Sequence, residues 1–237
     1  MALLLFIFSL LAPLSQTQPR AAQQLTGAWE ANMTDGTLGL WIMEDDHFSI
    51  TYYKRDAPEF INTEGGKWSL TPDGKITLHW EFNTKDQSQV GQQQVLAHKL
   101  ESNTLIAAGK SWKRIDDGTP GALKGAWLIT GRERDGEMGT MTPGARKTMK
   151  ILSGTRFQWI AYNSETGEFF GTGGGAYTTK GGKYTEQIHF FSRDNARVGA
   201  SLEFDYELRD GMWHHSGQSS KGEPLYEIWS TRQSLGI

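Results

Sequence analysis

Three groups of residues have the types and spacing to do chemistry. The first lies in a strand-like run, where Tyr184, Glu186, Ile188 and Phe190 alternate with Thr185, Gln187 and His189. A carboxylate and a phenol on one face of a strand can hold a ligand's polar groups. With a raised carboxyl pKa the same Glu186 can act as a general acid or base. The second group is His189, His214 and His215. Strand alternation sends His189 away from Glu186 and His214 away from His215. Neighbouring strand histidines do not enter one site without distortion, so no metal site is expected. The third is the segment 132–147, with the cations Arg132, Arg134, Arg146 and Lys147 and the apolar Met138 and Met141. It can meet an anion, or stand as a solvated loop in which Glu133, Asp135 and Glu137 balance the charge. Other chemistries fail on composition or spacing. The chain has no cysteine, which excludes thiolate zinc, iron–sulfur clusters and cysteine nucleophiles. No Gly-x-Ser-x-Gly elbow occurs, and the glycine run 171–176 lacks the Gly-Lys-Ser/Thr ending of a phosphate loop. No catalytic residue, metal ligand or cofactor is therefore assigned.

The elements that must position these residues come in two copies. Leu25-Thr26-Gly27-Ala28-Trp29 recurs as Leu123-Lys124-Gly125-Ala126-Trp127. Phe48 to Tyr53 lines up with Phe157 to Tyr162, Gly65-Gly66 with Gly174-Gly175, and Gly74-Lys75 with Gly182-Lys183. Both copies end near a tryptophan, Trp112 and Trp229. The order is kept throughout, the signature of an internal duplication. Within each copy, alternation such as Ile76, Leu78, Trp80, Phe82 or Leu202, Phe204, Tyr206, Leu208 has the period of a half-buried strand. Gly181-Gly182 and Asp210-Gly211 fall at hairpin spacing. No segment shows a long helical period. The expected fold is all-β: two tandem antiparallel barrels over residues 23–115 and 123–237, joined by the turn-forming 116–122, with 1–22 as signal peptide and leader. A β-sandwich is the structural rival. With Ile76, Leu78, Trp80 and Phe82 taken as facing inward, the matching residues Tyr184, Glu186, Ile188 and Phe190 face inward in the second copy. The first barrel is then dry and filled, and the second encloses an acid and a phenol that require partners, water or a ligand.

The Gly-x-Trp opening each copy resembles the first strand of the lipocalins and the wider calycin barrels. The second copy resembles more closely a lipocalin-like domain of unknown function in exported bacterial proteins. The matching residues are Leu123 to Trp127, Gly173-Gly174-Gly175-Ala176-Tyr177, Lys183 to Glu186, Phe191-Ser192, Gly211-Met212-Trp213-His214-His215-Ser216-Gly217 and Glu227-Ile228-Trp229. The resemblance implies a lipocalin-like barrel whose segment after the first strand covers the open mouth. It carries no assigned catalytic residue. On this reading the second barrel binds a small, partly apolar ligand, lipid-like or a glycan. Tyr177, Tyr184 and Glu186 supply polar contacts, Trp159, Trp213 and Trp229 the apolar wall, and Arg146 and Lys150 lie near the mouth. The rivals are an isomerase or hydratase using Glu186 as acid or base, and a pocketless interaction or glycan-binding protein.

Bulk properties bound the partners. The net charge of −3 shows no basic surplus for nucleic acid. The apolar run Ala2 to Ala12 is the length of a signal-peptide core and too short for the roughly 20 residues of a membrane span. A secreted or periplasmic protein is expected, with no lipoprotein cysteine and no stable membrane span.

Overall fold

The computed structural model describes residues 21–219 and 222–237. Nearly all of the expected leader lies outside the described residues. The first copy folds as β1 (Gly27–Asn32), β2 (Leu38–Glu44), β3 (His47–Lys54), β4 (Glu59–Leu70), β5 (Ile76–Asn83), β6 (Gln93–Leu96), β7 (His98–Glu101), β8 (Thr104–Ala107) and β9 (Lys110–Asp116). The second copy folds as β10 (Gly125–Arg134), β11 (Glu137–Thr140), β12 (Arg146–Leu152), β13 (Arg156–Asn163), β14 (Phe169–Lys180), β15 (Lys183–Phe191), β16 (Ser201–Arg209), β17 (Met212–Gln218) and β18 (Pro224–Thr231). All strand pairings are antiparallel. In the second copy β10 pairs with both β12 and β18 and closes an eight-stranded up-and-down barrel, with β11 as an added hairpin on the far half of β10. In the first, β6 and β7 stand where β16 stands in the second. Between them they pair with β5 and β8, as β16 pairs with β15 and β17. Only Ala97 separates them, so there the ring is closed by the chain rather than by a ladder. Closure leaves few free strand edges.

The duplication extends to the irregularities. Each long fourth strand carries a bulge at its glycine pair, Gly65/Gly66 and Gly174/Gly175. Gly66 and Gly175 have φ of +156° and +159°, and a Cβ there would sit 2.1 Å from the His79 carbonyl oxygen and 2.0 Å from that of Gln187. Only glycine tolerates this approach. The bulge corrects one expectation. The slipped pairing re-aims the strand end, so Phe82 and Phe190 do not point into their own barrels. They join the apolar layer between the two barrels, while Ile76, Leu78 and Trp80, and Tyr184 and Ile188, stay inside.

That layer is built from equivalent faces of the two copies. Ala28, Leu40 and Ile42 from the first pack with Ala126, Met149 and Ile151 from the second, all in matching positions. Tyr53 meets Phe190 and Phe82 meets Tyr162, both with ring centroids 4.9 Å apart. Phe60 and its equivalent Phe169 stack on each other at 6.1 Å and 9°. Reciprocal pairs plus self-paired equivalents define a pseudo-two-fold, the isologous geometry of a C2 dimer within one chain. Polar seams flank it. Glu81 accepts from both Arg232 terminal nitrogens, at 2.7 and 2.8 Å, and from the Tyr162 hydroxyl. Burial opposes ionisation of Glu81, yet Arg232 and the Tyr162 hydrogen bond bring its carboxyl down to about 2. At the linker the Asp116 carboxylate accepts from the backbone N–H of Gly154 and Thr155 and from the hydroxyls of Ser153 and Thr155.

Candidate functional site

The interior of the second barrel is a cup, packed at one end and open at the other. Alternation along β12 turns Arg146, Thr148, Lys150 and Leu152 inward, and Met149 and Ile151 toward the first barrel. Leu152, Trp127, Phe157, Tyr177, Tyr184 and Trp213 fill the floor. Above them lies a cavity of about 420 Å³, a size that suits a small ligand. Its apolar wall comes from Trp159 on β13, Ile188 and Phe191 on β15, Phe204 on β16, and Leu225 and Trp229 on β18.

Two charged groups form the inner end of the cavity. The Lys150 ammonium donates to Glu186 Oε1 at 3.0 Å, and both residues are almost wholly buried. The same nitrogen stands 4.9 Å from the Trp213 ring centroid, 5.0 Å from that of Tyr184 and 5.4 Å from that of Trp229. An aromatic cage and a carboxylate together offset the cost of taking the ammonium out of water. The second group is centred on Glu227. Its carboxylate accepts from Trp229 Nε1 at 3.1 Å, from His215 Nδ1 at 3.3 Å and from Arg132. Burial alone would raise Glu227, but His215, Lys150 and Arg132 bring its carboxyl down to about 2. Burial first, then the Lys150 charge, push His215 below its usual value. The Glu227 carboxylate faces Nδ1, and Nε2 is buried and without a hydrogen-bond partner among the described residues. The Tyr184 phenol, fully enclosed and then pressed by the Glu186 charge, is raised well above the usual tyrosine range.

Of the residues expected to form the site, Glu186, Lys150, Trp159, Trp229 and Arg146 line the cavity. Tyr177, Tyr184 and Trp213 lie below it in the floor, where the Tyr177 hydroxyl donates to the Ser153 carbonyl at 2.5 Å. Lys150 is not at the mouth. Its inward parity and the Glu186 partner hold it deep, 5% exposed. Glu186 spends one oxygen on Lys150 rather than standing as an isolated acid. The insertion is ordered as a β-hairpin, in which residues 131–134 pair with 137–140. Met138 is exposed, and Met141 faces a separate crevice beside Leu128 and Ile129. His215, Glu227 and Arg193 were absent from the expected site. Glu227 was the most legible of the three, because it lies two residues before Trp229 and shares its parity.

Register equivalence shows what the first barrel holds at the same places. Trp41 stands for Lys150, Leu78 for Glu186, Ala107 for His215 and Lys110 for Glu227. Three of these four polar positions are apolar there, and Trp41, Leu78 and Ala107 belong to one packed core. Among the described residues no group of three or more His, Asp or Glu side chains is placed to hold a metal. No described helix is long and apolar enough to cross a membrane. Neither a scan of family models nor a search of curated proteins returns a match to this chain.

Proposed function

We propose that this is an exported, lipocalin-like double barrel whose second barrel binds a small, partly apolar ligand without chemical turnover, the first serving as a structural copy. The observation that carries the reading is the cavity itself, walled by aromatic side chains and closed at its inner end by the Lys150–Glu186 and Arg132–Glu227 pairs. The polar inner end and aromatic wall divide the contacts as a ligand site does, with a few fixed polar groups for orientation and ring surface for burial. The resemblance of the Gly-x-Trp openings to lipocalins supports the same reading, as does the apolar run at residues 2–12 for export.

Titration with N-phenyl-1-naphthylamine, an uncharged fluorophore that brightens in apolar cavities, tests it. The expected result is saturable binding to one site per chain. Ala161→Trp, which puts an indole into the cavity wall, abolishes that binding while leaving the unfolding transition in place. No saturable signal, or binding unaffected by Ala161→Trp, overturns the proposal.

A further inference from the structure

The charges around the cavity do not cancel. Lys150 is matched by Glu186 and Arg132 by Glu227. Arg146 and Arg193 also line the cavity, and among the described residues neither has a carboxylate partner. Both are exposed, and both are attached to Phe170. The Arg146 guanidinium lies over its ring at 4.4 Å, and the Arg193 guanidinium donates to its carbonyl oxygen. Arg193 is further fixed beneath Gly171, where a Cβ would meet Nε at 2.9 Å. Two guanidinium groups on one rim residue, at the water end of an aromatic cavity, form a pre-positioned receptor for an oxyanion.

At the inner end the Glu186 carboxylate accepts from Lys150, and the Glu227 carboxylate accepts from Arg132, His215 and Trp229. Between the two ends the wall is ring surface, from Trp159, Phe191, Phe204 and Trp229. The step from Lys150 to Arg146 along β12 is four residues, roughly 13 Å. That span suits an elongated molecule better than a free inorganic anion. A long alkyl tail fits poorly, since it would end against buried charges.

We infer that the ligand class is a flat aryl acid, its acid group at Arg146 and Arg193 and its ring system against the aromatic wall. This rests on the binding proposal above and deepens it. The test compares 2-naphthoate with its methyl ester by calorimetry on the unaltered full chain. The acid is expected to bind at least tenfold tighter than the ester, because only the carboxylate accepts charge-assisted hydrogen bonds from both guanidinium groups. In Arg146→Gln/Arg193→Gln, with both changes at exposed positions, the acid's advantage over the ester is lost. Acid and ester of equal affinity, or an acid preference that survives the double substitution, overturns the assignment of the rim. In either case retained binding of N-phenyl-1-naphthylamine leaves the cavity reading standing. Loss of every ligand, the neutral fluorophore included, brings down both.

Discussion

Lys150 and Glu186 place opposite charges in a barrel wall where Trp41 and Leu78 place apolar surface in the other copy. Burying an ion pair is a poor way to gain stability, because desolvation consumes most of the attraction. Keeping one is informative, since an apolar pair at the same register already works in the same chain. The pair costs little only while both members are present. Glu186→Leu alone leaves an unpaired ammonium and is expected to lower the unfolding free energy by about 3–5 kcal/mol. Lys150→Met/Glu186→Leu, which restores the apolar character of the first barrel, is expected to lie within about 1 kcal/mol of the parent or above it. Urea unfolding of the two single variants and the double variant measures the cycle. A double variant as unstable as the single ones would show that the charges hold the wall together rather than serve a guest. The pair was half legible in the sequence. Glu186 followed from alternation against the first copy. The depth of Lys150 did not, because a lysine reads as a rim residue until its register is known.

At the scale of the element, what decides the fold is a pair of glycine bulges rather than strand propensity. Alternation placed Tyr184, Glu186 and Ile188 inside correctly, since nothing interrupts the period between them. It failed at Phe82 and Phe190 because the slip beside Gly66 and Gly175 shifts the parity of everything beyond it. A sequence shows two adjacent glycines, not which residue opposite them goes unpaired. The consequence is large, because those two phenylalanines make the inter-barrel layer instead of filling the barrels. Gly175→Ala drives a methyl into the Gln187 carbonyl at a φ of +159°. It is expected to cost about 3 kcal/mol, by strain and overpacking together. Gly181→Ala, in an open hairpin turn with nothing within 4 Å, meets no such contact. Its cost is confined to the φ of +58° there, about 1 kcal/mol. Parallel thermal melts of the two variants check the ordering. Equal losses would mean that the bulge is not what aims the strand.

At the scale of the whole molecule the two barrels behave as an intramolecular dimer, and the residue at their junction gives that arrangement a pH dependence. Glu44 closes β2 at the linker, 4% exposed, with Oε1 buried, unpartnered and against Gly118. Burial above all, opposed by Lys124 and assisted by Asp45, Asp116 and Asp117, raises its carboxyl from 4.5 to about 8. Between those values the unfolded chain has lost the proton and the folded protein keeps it. The stabilisation is therefore complete below pH 4.5 and drains away as pH rises, by at most about 1.4 kcal/mol per unit, until the folded carboxyl ionises near 8. Other groups push the opposite way. Glu81 and Glu227, both held at about 2, add stability above pH 4.5 that is lost as pH falls toward 2. His189, half-buried and lowered by that desolvation to about 4, favours folding as pH rises toward 6.5. Only a difference measurement isolates the junction. Glu44→Gln keeps the shape and removes the titration. Relative to the parent it is expected to be about equal in stability at pH 5 and more stable by up to about 4 kcal/mol at pH 8.5. Urea unfolding at a series of pH values gives that difference curve. A flat difference from pH 5 to 8.5 would mean that the buried carboxyl finds a partner on ionising. The linker would then hold the barrels together equally well with Glu44 charged or neutral.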